Sequence, residues 1–353
     1  MTIRSEDLRD FSSRLLEAAG FGKGTADEMA DLLVWANLRG VDSHGVLRIP
    51  RYVEMLDLGL LNADFDIVEA HRSGAVCVLD ADRAPGATAM NRAVRTASAL
   101  AEASGLGWCG VRNTSHAGAI GYFVQKLTHE GKVGIAMTAS KPLMSYHGAK
   151  GEALSSNPLA IGIPQPGGRP AIILDMSTAS VALGKVMAAR DANRSIPPGW
   201  AVDADGADTT DPHKVAALLP MAGAKGSGLS LMIEILCSLL VANPSIAPVL
   251  SGGKSGGFNG MVLAVDPGAF GDRALFLQHV AELADAIHRL EPAVAAERVL
   301  LPGERGRMTE ERRREQGIPL AEGTLAKLAA LAGKLDVTLP DGWADAAKDI
   351  SKI

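Results

Sequence analysis

Two short stretches of this chain set a histidine beside a serine among small neighbours: Asp42-Ser43-His44-Gly45 and Thr114-Ser115-His116-Ala117-Gly118. An imidazole titrates near neutrality, so it can give or take the proton of an alcohol or an imine, and small neighbours leave room for a substrate beside it. Arg48 follows His44 by four positions, and a guanidinium fork is suited to clamping a carboxylate. Lys141, directly after Ser140, adds a second cation, and Lys225 lies among glycines at a predicted helix start, where backbone N–H groups favour anions. Asp175 closes a short apolar run. Its carboxylate can orient a histidine or hydroxyl, or cap the helix predicted from near Ser180. This inventory suits reduction of a 2-oxo or 2-imino acid.

Other chemistries lack their parts. Of the eight histidines, no two are four residues apart with a glutamate between, and no Cys-x-x-Cys is present, so no metal site is expected. A serine hydrolase would need a G-x-S-x-G elbow, which is absent. Gly105-Leu106-Gly107-Trp108-Cys109-Gly110 spells G-x-G-x-x-G, but a helix precedes it and a strand follows. That is the reverse of the order that places a helix N-terminus against a pyrophosphate. Gly252-Gly253-Lys254-Ser255 resembles the end of a triphosphate-binding loop, yet Pro248 stands where its first glycine belongs.

Bulk properties narrow the field further. A net charge of -5 gives no electrostatic reason to expect a nucleic acid or an acidic membrane as partner. The longest apolar stretch, 229–242, is interrupted by Glu234 and is too short to span a bilayer. The first eleven residues alternate charges and lack the apolar core of a secretory signal. Cys77, Cys109 and Cys237 are odd in number and lie in apolar runs, which suits buried thiols in a reducing cytoplasm.

The elements that must position the histidines follow from periodicity. Ser5 is a candidate cap for a first helix closed by Gly20, and Thr25 with Glu28 gives a capping-box pattern for a second that stops near Gly40. Residues 75–80 read as a buried strand and 88–103 as an Ala-rich helix. A strand opening at Trp108 delivers the Ser115-His116 turn, and a helix with Ile120, Phe123, Val124 and Leu127 on one face follows. Strands are predicted at 133–138, 159–163 and 171–175, the last two a hairpin across the turn at 166–170. The irregular run 195–212 is long enough for a functional loop. Beyond it come helices at 229–240 and 274–290, a charged helix from Thr309 whose run Glu310–Glu315 reads as a solvated face, and a last helix at 324–335. Strand-rich stretches with some helical crossovers point to a mixed rather than a purely parallel sheet, in an α+β (mixed α/β) fold.

Several of these runs resemble one family. Val41–Arg48, Ser115-His116-Ala117-Gly118, Ser156–Ala160, Leu174-Asp175-Met176-Ser177-Thr178, Gly184-Lys185, Ile196–Ala201, Thr209–Pro212, Ala224–Leu229 and Pro302-Gly303-Glu304 are similar, in order, to the type 2 malate/L-lactate dehydrogenases. Ser195–Gly228 and Gly118–Gln125 look closest to the ureidoglycolate dehydrogenase branch. The resemblance implies a NAD- or NADP-dependent oxidoreductase of a 2-hydroxy acid and its 2-oxo acid. It also implies a non-Rossmann, largely antiparallel cofactor-binding sheet with helical flanking domains, and a homodimer. The implied regions are a helical 1–72, a strand-helix-strand linker 73–118, a cofactor-binding domain 119–270 and a helical 271–353 that packs back on the first.

The resemblance further implies roles. His116 or His44 moves the proton, with Asp175 beside them in the catalytic set. Ser43, Arg48, Tyr52 and Lys141 face the substrate. Ser140, Asp175, Met176, Ser177, Lys225, Gly303, Glu304 and Arg305 belong to the cofactor. Two departures stand out. Ser155-Ser156-Asn157-Pro158 replaces the common Gly-Thr-Asn-Pro, and Lys141 replaces an aspartate of the ureidoglycolate branch. A cation there favours a dianionic acid such as malate or sulfolactate. The rivals are a cyclic-imine reductase of the same family and a non-catalytic ligand-binding descendant of the fold.

Overall fold

A computed structural model describes residues 1–340 and Trp343; the end of the expected 271–353 region, residues 344–353, lies outside the described residues. Strand β1 (Thr2–Ile3) is followed by helices α1 (Ser5–Ala18), α2 (Lys23–Leu38) and α3 (Ile49–Asp57), with 3-10 turns at Asp42–His44 and Val46–Arg48 between the last two. Next come β2 (Val68–Ser73), β3 (Val76–Asp80), α4 (Gly86–Ser104), β4 (Leu106–Thr114), α5 (Gly121–His129), β5 (Val133–Ala139), β6 (Leu159–Ile163) and β7 (Ile172–Met176). Then follow α6 (Leu183–Asp191), β8 (Ala201–Val202), β9 (Ala217–Leu218), α7 (Ala224–Glu234) with a π-helical turn at Ile235–Leu239, α8 (Ala247–Leu250) and β10 (Phe258–Val265). Helix α9 (Arg273–His288), α10 (Glu304–Gln316), β11 (Ile318–Pro319) and α11 (Glu322–Lys334) complete the described elements.

Seven strands form one sheet in the order β2-β3-β4-β10-β5-β6-β7. Only β3 and β4 pair in parallel, so the sheet is mixed, as the strand-rich middle of the chain predicts. β6 and β7 form the predicted hairpin. The antiparallel pairings of β10 with β4 and β5, and of β6 with β5 and β7, give β4, β5 and β7 a common direction. All three therefore end at one edge, where β6 and β10 begin.

Glycines in the strands let helices approach one face. A Cβ at Gly107 or Gly260 would press on α4, and one at Gly134 or Gly162 on α5. Gly110, three residues beyond Gly107 and hence on the opposite face, meets Val241, which follows the π-helical turn. The G-x-G-x-x-G look-alike is thus spent on packing: Gly105 ends α4 in the left-handed region at φ 81°, Gly107 admits α4, and Gly110 admits Val241. The main core fills the space between α1, α2, α4 and α5 with Leu8, Phe11, Leu15, Leu33, Met90, Phe123 and Leu127.

Several boundaries differ from expectation for local reasons. Gly22, not Thr25, precedes α2, whose first turn closes with Ala26 N–H on Gly22 O at 2.9 Å. Arg4 rather than Ser5 stands at the N-cap position of α1, without a side-chain capping bond. The helix expected near Ser180 starts at Leu183. The predicted helix 229–240 begins at Ala224 because Gly226 lets the chain fold against Met221. It changes pitch at Ile235, next to Glu234, a buried carboxylate that accepts the N–H groups of Ser245 and Ile246 at 3.1 Å each. The charged helix starts at Glu304, five residues early, where Gly303 reverses the chain at φ 88°.

Candidate active site

Strand β4 delivers His116 to the shared edge. Asn113 breaks the strand at φ 56° and is held by Asn259 Oδ1, which accepts its N–H at 3.1 Å. The Ser115 hydroxyl accepts the Gly86 N–H at 2.9 Å, capping α4 from a distance, and a Cβ at Gly86 would strike the carbonyls of Ser115 and His116. Ser115 therefore serves structure, and His116 is held from its backbone.

The second histidine comes from the 3-10 turn after α2. The rings of His44 and His116 are stacked, with centroids 5.5 Å apart and planes at 24°. Ser43 Oγ lies 2.9 Å from His44 Nδ1, and the buried Tyr52 hydroxyl, from α3, lies 2.8 Å from His116 Nδ1. Both Nδ1 atoms are thus engaged, whereas neither Nε2 has a protein hydrogen-bond partner among the described residues. Arg48 donates Nε–H to Ser43 O at 2.7 Å and has no carboxylate partner among the described residues. The Phe258 ring, at the start of β10, closes on His116 edge-first at 6.1 Å.

Burial and the unpaired guanidinium decide protonation. Burial first, then the charge of Arg48, pushes the His44 imidazole down to about 4. The His116 imidazole is held well below the ordinary histidine range by burial, then by His44 and Arg48. Burial raises the Tyr52 phenol to about 12, with Arg48 opposing. The result is two neutral rings and one cation without a counter-charge among the described residues.

The residues expected to serve the cofactor are spread along the same edge and behind β7. Ser140, after β5, lies with its hydroxyl 2.7 Å from that of Ser155, and Ser177, after β7, donates to Ser156 O at 3.1 Å. Met176 pairs with Leu159 across the hairpin. Asp175 touches neither imidazole; its Oδ2 accepts the Gly121 N–H at 2.8 Å, at the start of α5 rather than of the helix after Ser180. Crowding by protein raises the Asp175 carboxyl, although solvent reaches the residue, while the Gly121 bond and Arg39 oppose that shift. Lys225 is exposed in the first turn of α7, and Lys141 is exposed and faces Glu152.

Gly303 and Glu304 line a cleft of about 670 Å³ together with Arg39, Ile172, Ile173 and His288. Ile173 N–H donates to Pro302 O at 3.1 Å, and a Cβ at Gly303 would meet Ile173, so glycine is required there. Glu304 accepts from His288 Nε2 at 3.0 Å and Leu301 N–H at 2.9 Å, while Arg305 is exposed. A cleft of this size suits a dinucleotide; its lining joins an apolar wall of Ile172 and Ile173 to charged side chains of both signs, and arginines among them, such as Arg39, Arg169 and Arg307, suit phosphates.

Sequence reading missed Phe258, Asn37 and Arg313. A lone aromatic at a strand start carries no signal. Asn37 Oδ1 accepts the Val46 N–H at 2.9 Å and so ties α2 to the 3-10 turns. Arg313 lies in the run taken for a solvated face, yet its side chain is 12% exposed and binds Asp42 through both terminal nitrogens, at 2.7 and 3.0 Å. Only a polar stripe at helical spacing could have marked it.

A match to the malate/L-lactate dehydrogenase family spans residues 3–329. The ureidoglycolate dehydrogenase (NAD(+)) of Escherichia coli strain K12 is 33% identical over 328 residues, covering 91% of this chain and 93% of its own. The malate/(S)-sulfolactate dehydrogenase of Methanothermus fervidus is 32% identical over 344 residues, covering 96% and 99%. The solved structure of sulfolactate dehydrogenase from Methanocaldococcus jannaschii superposes with a TM-score of 0.87 at 32% identity, covering 96% of this chain and 98% of that one. With the family match over most of its length and the mixed sheet in common, the chain belongs to the malate/L-lactate dehydrogenase family.

Proposed function

We propose that this chain is a NAD- or NADP-dependent oxidoreductase that interconverts a 2-hydroxy acid and its 2-oxo acid. One observation carries the reading: two stacked, neutral imidazoles, whose Nε2 atoms have no protein hydrogen-bond partner among the described residues, stand beside Arg48, a half-buried cation without a carboxylate partner among those residues. Such a cation is matched by the C1 carboxylate of the substrate. A nicotinamide, when bound, supplies the hydride to C2 in one direction and accepts it in the other. His116 Nε2 moves the hydroxyl proton, Tyr52 fixes its ring through Nδ1, and Ser43 does the same for His44. Gly303 and Glu304 hold the cofactor within the cleft behind β7, and Ser140, Asp175, Met176, Ser177, Lys225 and Arg305 form the rest of its site. The 119–270 region carries most of that site, flanked by the three other regions.

Lys141 favours a dianionic acid, and relatives named for malate and sulfolactate support that preference. A homodimer is supported by Met232, Ile235, Leu239 and Leu240, large apolar residues exposed together on α7 and its π-helical turn. The three buried free thiols support a cytoplasmic location; no helix among the described residues is long and apolar enough to cross a membrane.

The test follows nicotinamide absorbance with both cofactors over a panel of mono- and dianionic 2-oxo acids and cyclic imino acids. Turnover with 2-oxo acids, strongest for the dianions, is expected. Turnover with cyclic imines alone would instead establish a reductase of that class, and none with either would leave a binding protein.

A further inference from the structure

Helix α10 meets α2 through Gly306, Thr309, Glu310 and Arg313, a face at helical spacing. Gly306 faces the Arg39 guanidinium, and Thr309 packs under Gly40. Glu310 pairs with Arg39 at 3.3 Å, with both side chains mostly buried. Arg313 reaches past the end of α2. Besides its two bonds to Asp42, its Nη1 donates to Asn37 O.

Asp42 opens the turn that carries Ser43 and His44. Its Oδ1 also accepts Asn37 Nδ2–H at 2.7 Å, and its carbonyl accepts the Gly45 N–H at 3.1 Å. Asn37 in turn holds Val46, and a Cβ at Gly45 would collide with the Asn37 amide. So one bidentate guanidinium, brought from the far end of the chain, closes a polar frame around a turn of three residues. Without it the turn keeps its own short-range bonds and the two Asn37 bonds from the end of α2, to Asp42 and from Val46, and loses its one tie to a distant element. His44 faces Ser43, Arg48 and His116, and none of these fixes the backbone on which it rides except through the Arg48 bond to Ser43 O.

We propose that Arg313 is a positioning residue: acting through Asp42, it fixes the Ser43-His44 turn against His116 and Arg48, and thereby sets substrate binding and proton transfer. A displacement of about 1 Å at a reacting group can cost on the order of 100-fold in rate. The inference rests on the dehydrogenase reading for its kinetic arm only.

Arg313→Met removes the fork and keeps much of the volume. With a folded variant confirmed by thermal melting, kcat/KM for the 2-oxo acid is expected to fall about 10-fold or more, while NADH affinity by fluorescence titration stays within about twofold. NMR titration of His44, which needs no substrate, should show its pKa moving up from about 4 toward the usual 6.5 as the turn admits water. Arg313→Lys restores charge without the fork and should recover part of the loss. Asp42→Asn, which still accepts one bond, should repeat the pattern at smaller size and decides the matter if Arg313→Met does not fold. The double variant Arg313→Met/Asp42→Asn should lose little more than Arg313→Met alone. Unchanged His44 titration in either single variant, kcat/KM within twofold of wild type, an equal loss of NADH affinity, or losses that multiply in the double variant would each overturn the proposal. If wild type shows no nicotinamide-dependent turnover, the dehydrogenase reading fails, and the His44 titration still tests the role of Arg313.

Discussion

The buried Tyr52 hydroxyl and His116 Nδ1 lie 2.8 Å apart. That bond leaves Nε2 as the nitrogen open to a substrate and selects the ring orientation. Tyr52→Phe should therefore lower kcat about 10-fold, the scale of one buried hydrogen bond of roughly 1–1.5 kcal/mol, with KM little changed. Steady-state kinetics with a deuterated reductant checks it: a kinetic isotope effect that is unaltered along with kcat would remove Tyr52 from proton transfer.

The stacked histidines compete for one role. Loss of a general acid/base costs about 100-fold or more, so His116→Ala is expected to drop kcat by at least that factor. His44→Ala should act more on KM, because its Nδ1 is tied to Ser43 and its ring supports that of His116. The assignment reverses if His44→Ala is the variant that loses turnover, and it fails if both variants keep near wild-type kcat.

Arg48 makes substrate binding pH-dependent. Burial first, then His44 and the charge of Arg48, holds His116 below the ordinary histidine range in the free protein. A carboxylate placed on Arg48 offsets that charge, so the bound state takes up a proton and 2-oxo acid affinity should fall as pH rises toward about 6.5, the ordinary histidine value, and level off above it. Calorimetry in buffers of different ionisation enthalpy measures the uptake directly. Arg48→Met should raise KM about 10- to 100-fold, the range for a charge-assisted pair, and abolish the uptake.

Acid should destabilise the fold through the same histidines. His44 titrates near 4 when folded and near 6.5 when unfolded. The unfolded chain binds more protons between those values, so stability is full above about 6.5 and is lost as pH falls toward about 4. Glu234, raised by burial, acts in the opposite sense at the lower end. The histidine share is therefore read as the difference in urea midpoint against pH between wild type and His44→Gln. Parallel curves would show that His44 contributes nothing.

Substrate ranking tests Lys141. Its ammonium is exposed and shares its surroundings with Glu152, so its effect on a distal anionic group should be modest, within about 10-fold in kcat/KM. Lys141→Asp should invert the order of dianionic and monoanionic acids. An unchanged order across the panel would place specificity elsewhere.

Much of the site was legible because its chemistry is local. Ser43-His44 and Ser115-His116 announce themselves by small neighbours, and the reversed order around Gly105–Gly110 excluded a dinucleotide fingerprint before any coordinates. The short strand-like runs 133–138 and 159–163 mark the strands that end or begin at the working edge. What stayed hidden depends on distant packing. Phe258 acquires meaning only when β10 inserts between β4 and β5, an order no neighbouring residue encodes. Asp175 reads in sequence as orienting a histidine or hydroxyl, or as capping the next helix, but the hairpin carries it to the start of α5 instead. Arg313 looked solvated because charge runs are normally so, and its partner lies across the whole chain. The π-helical turn at Ile235–Leu239 has no residue of its own that marks the change of pitch.

The separation of Asp42 from Arg313, 271 residues, also bears on how the enzyme is made. At about 5–20 residues per second, a ribosome takes roughly 15 to 55 s to travel from one to the other. For that interval the emerging chain holds Ser43 and His44 without the fork that secures them. A product that ended between β10 and Arg313 would carry both histidines and all seven strands of the main sheet, yet lack that fork.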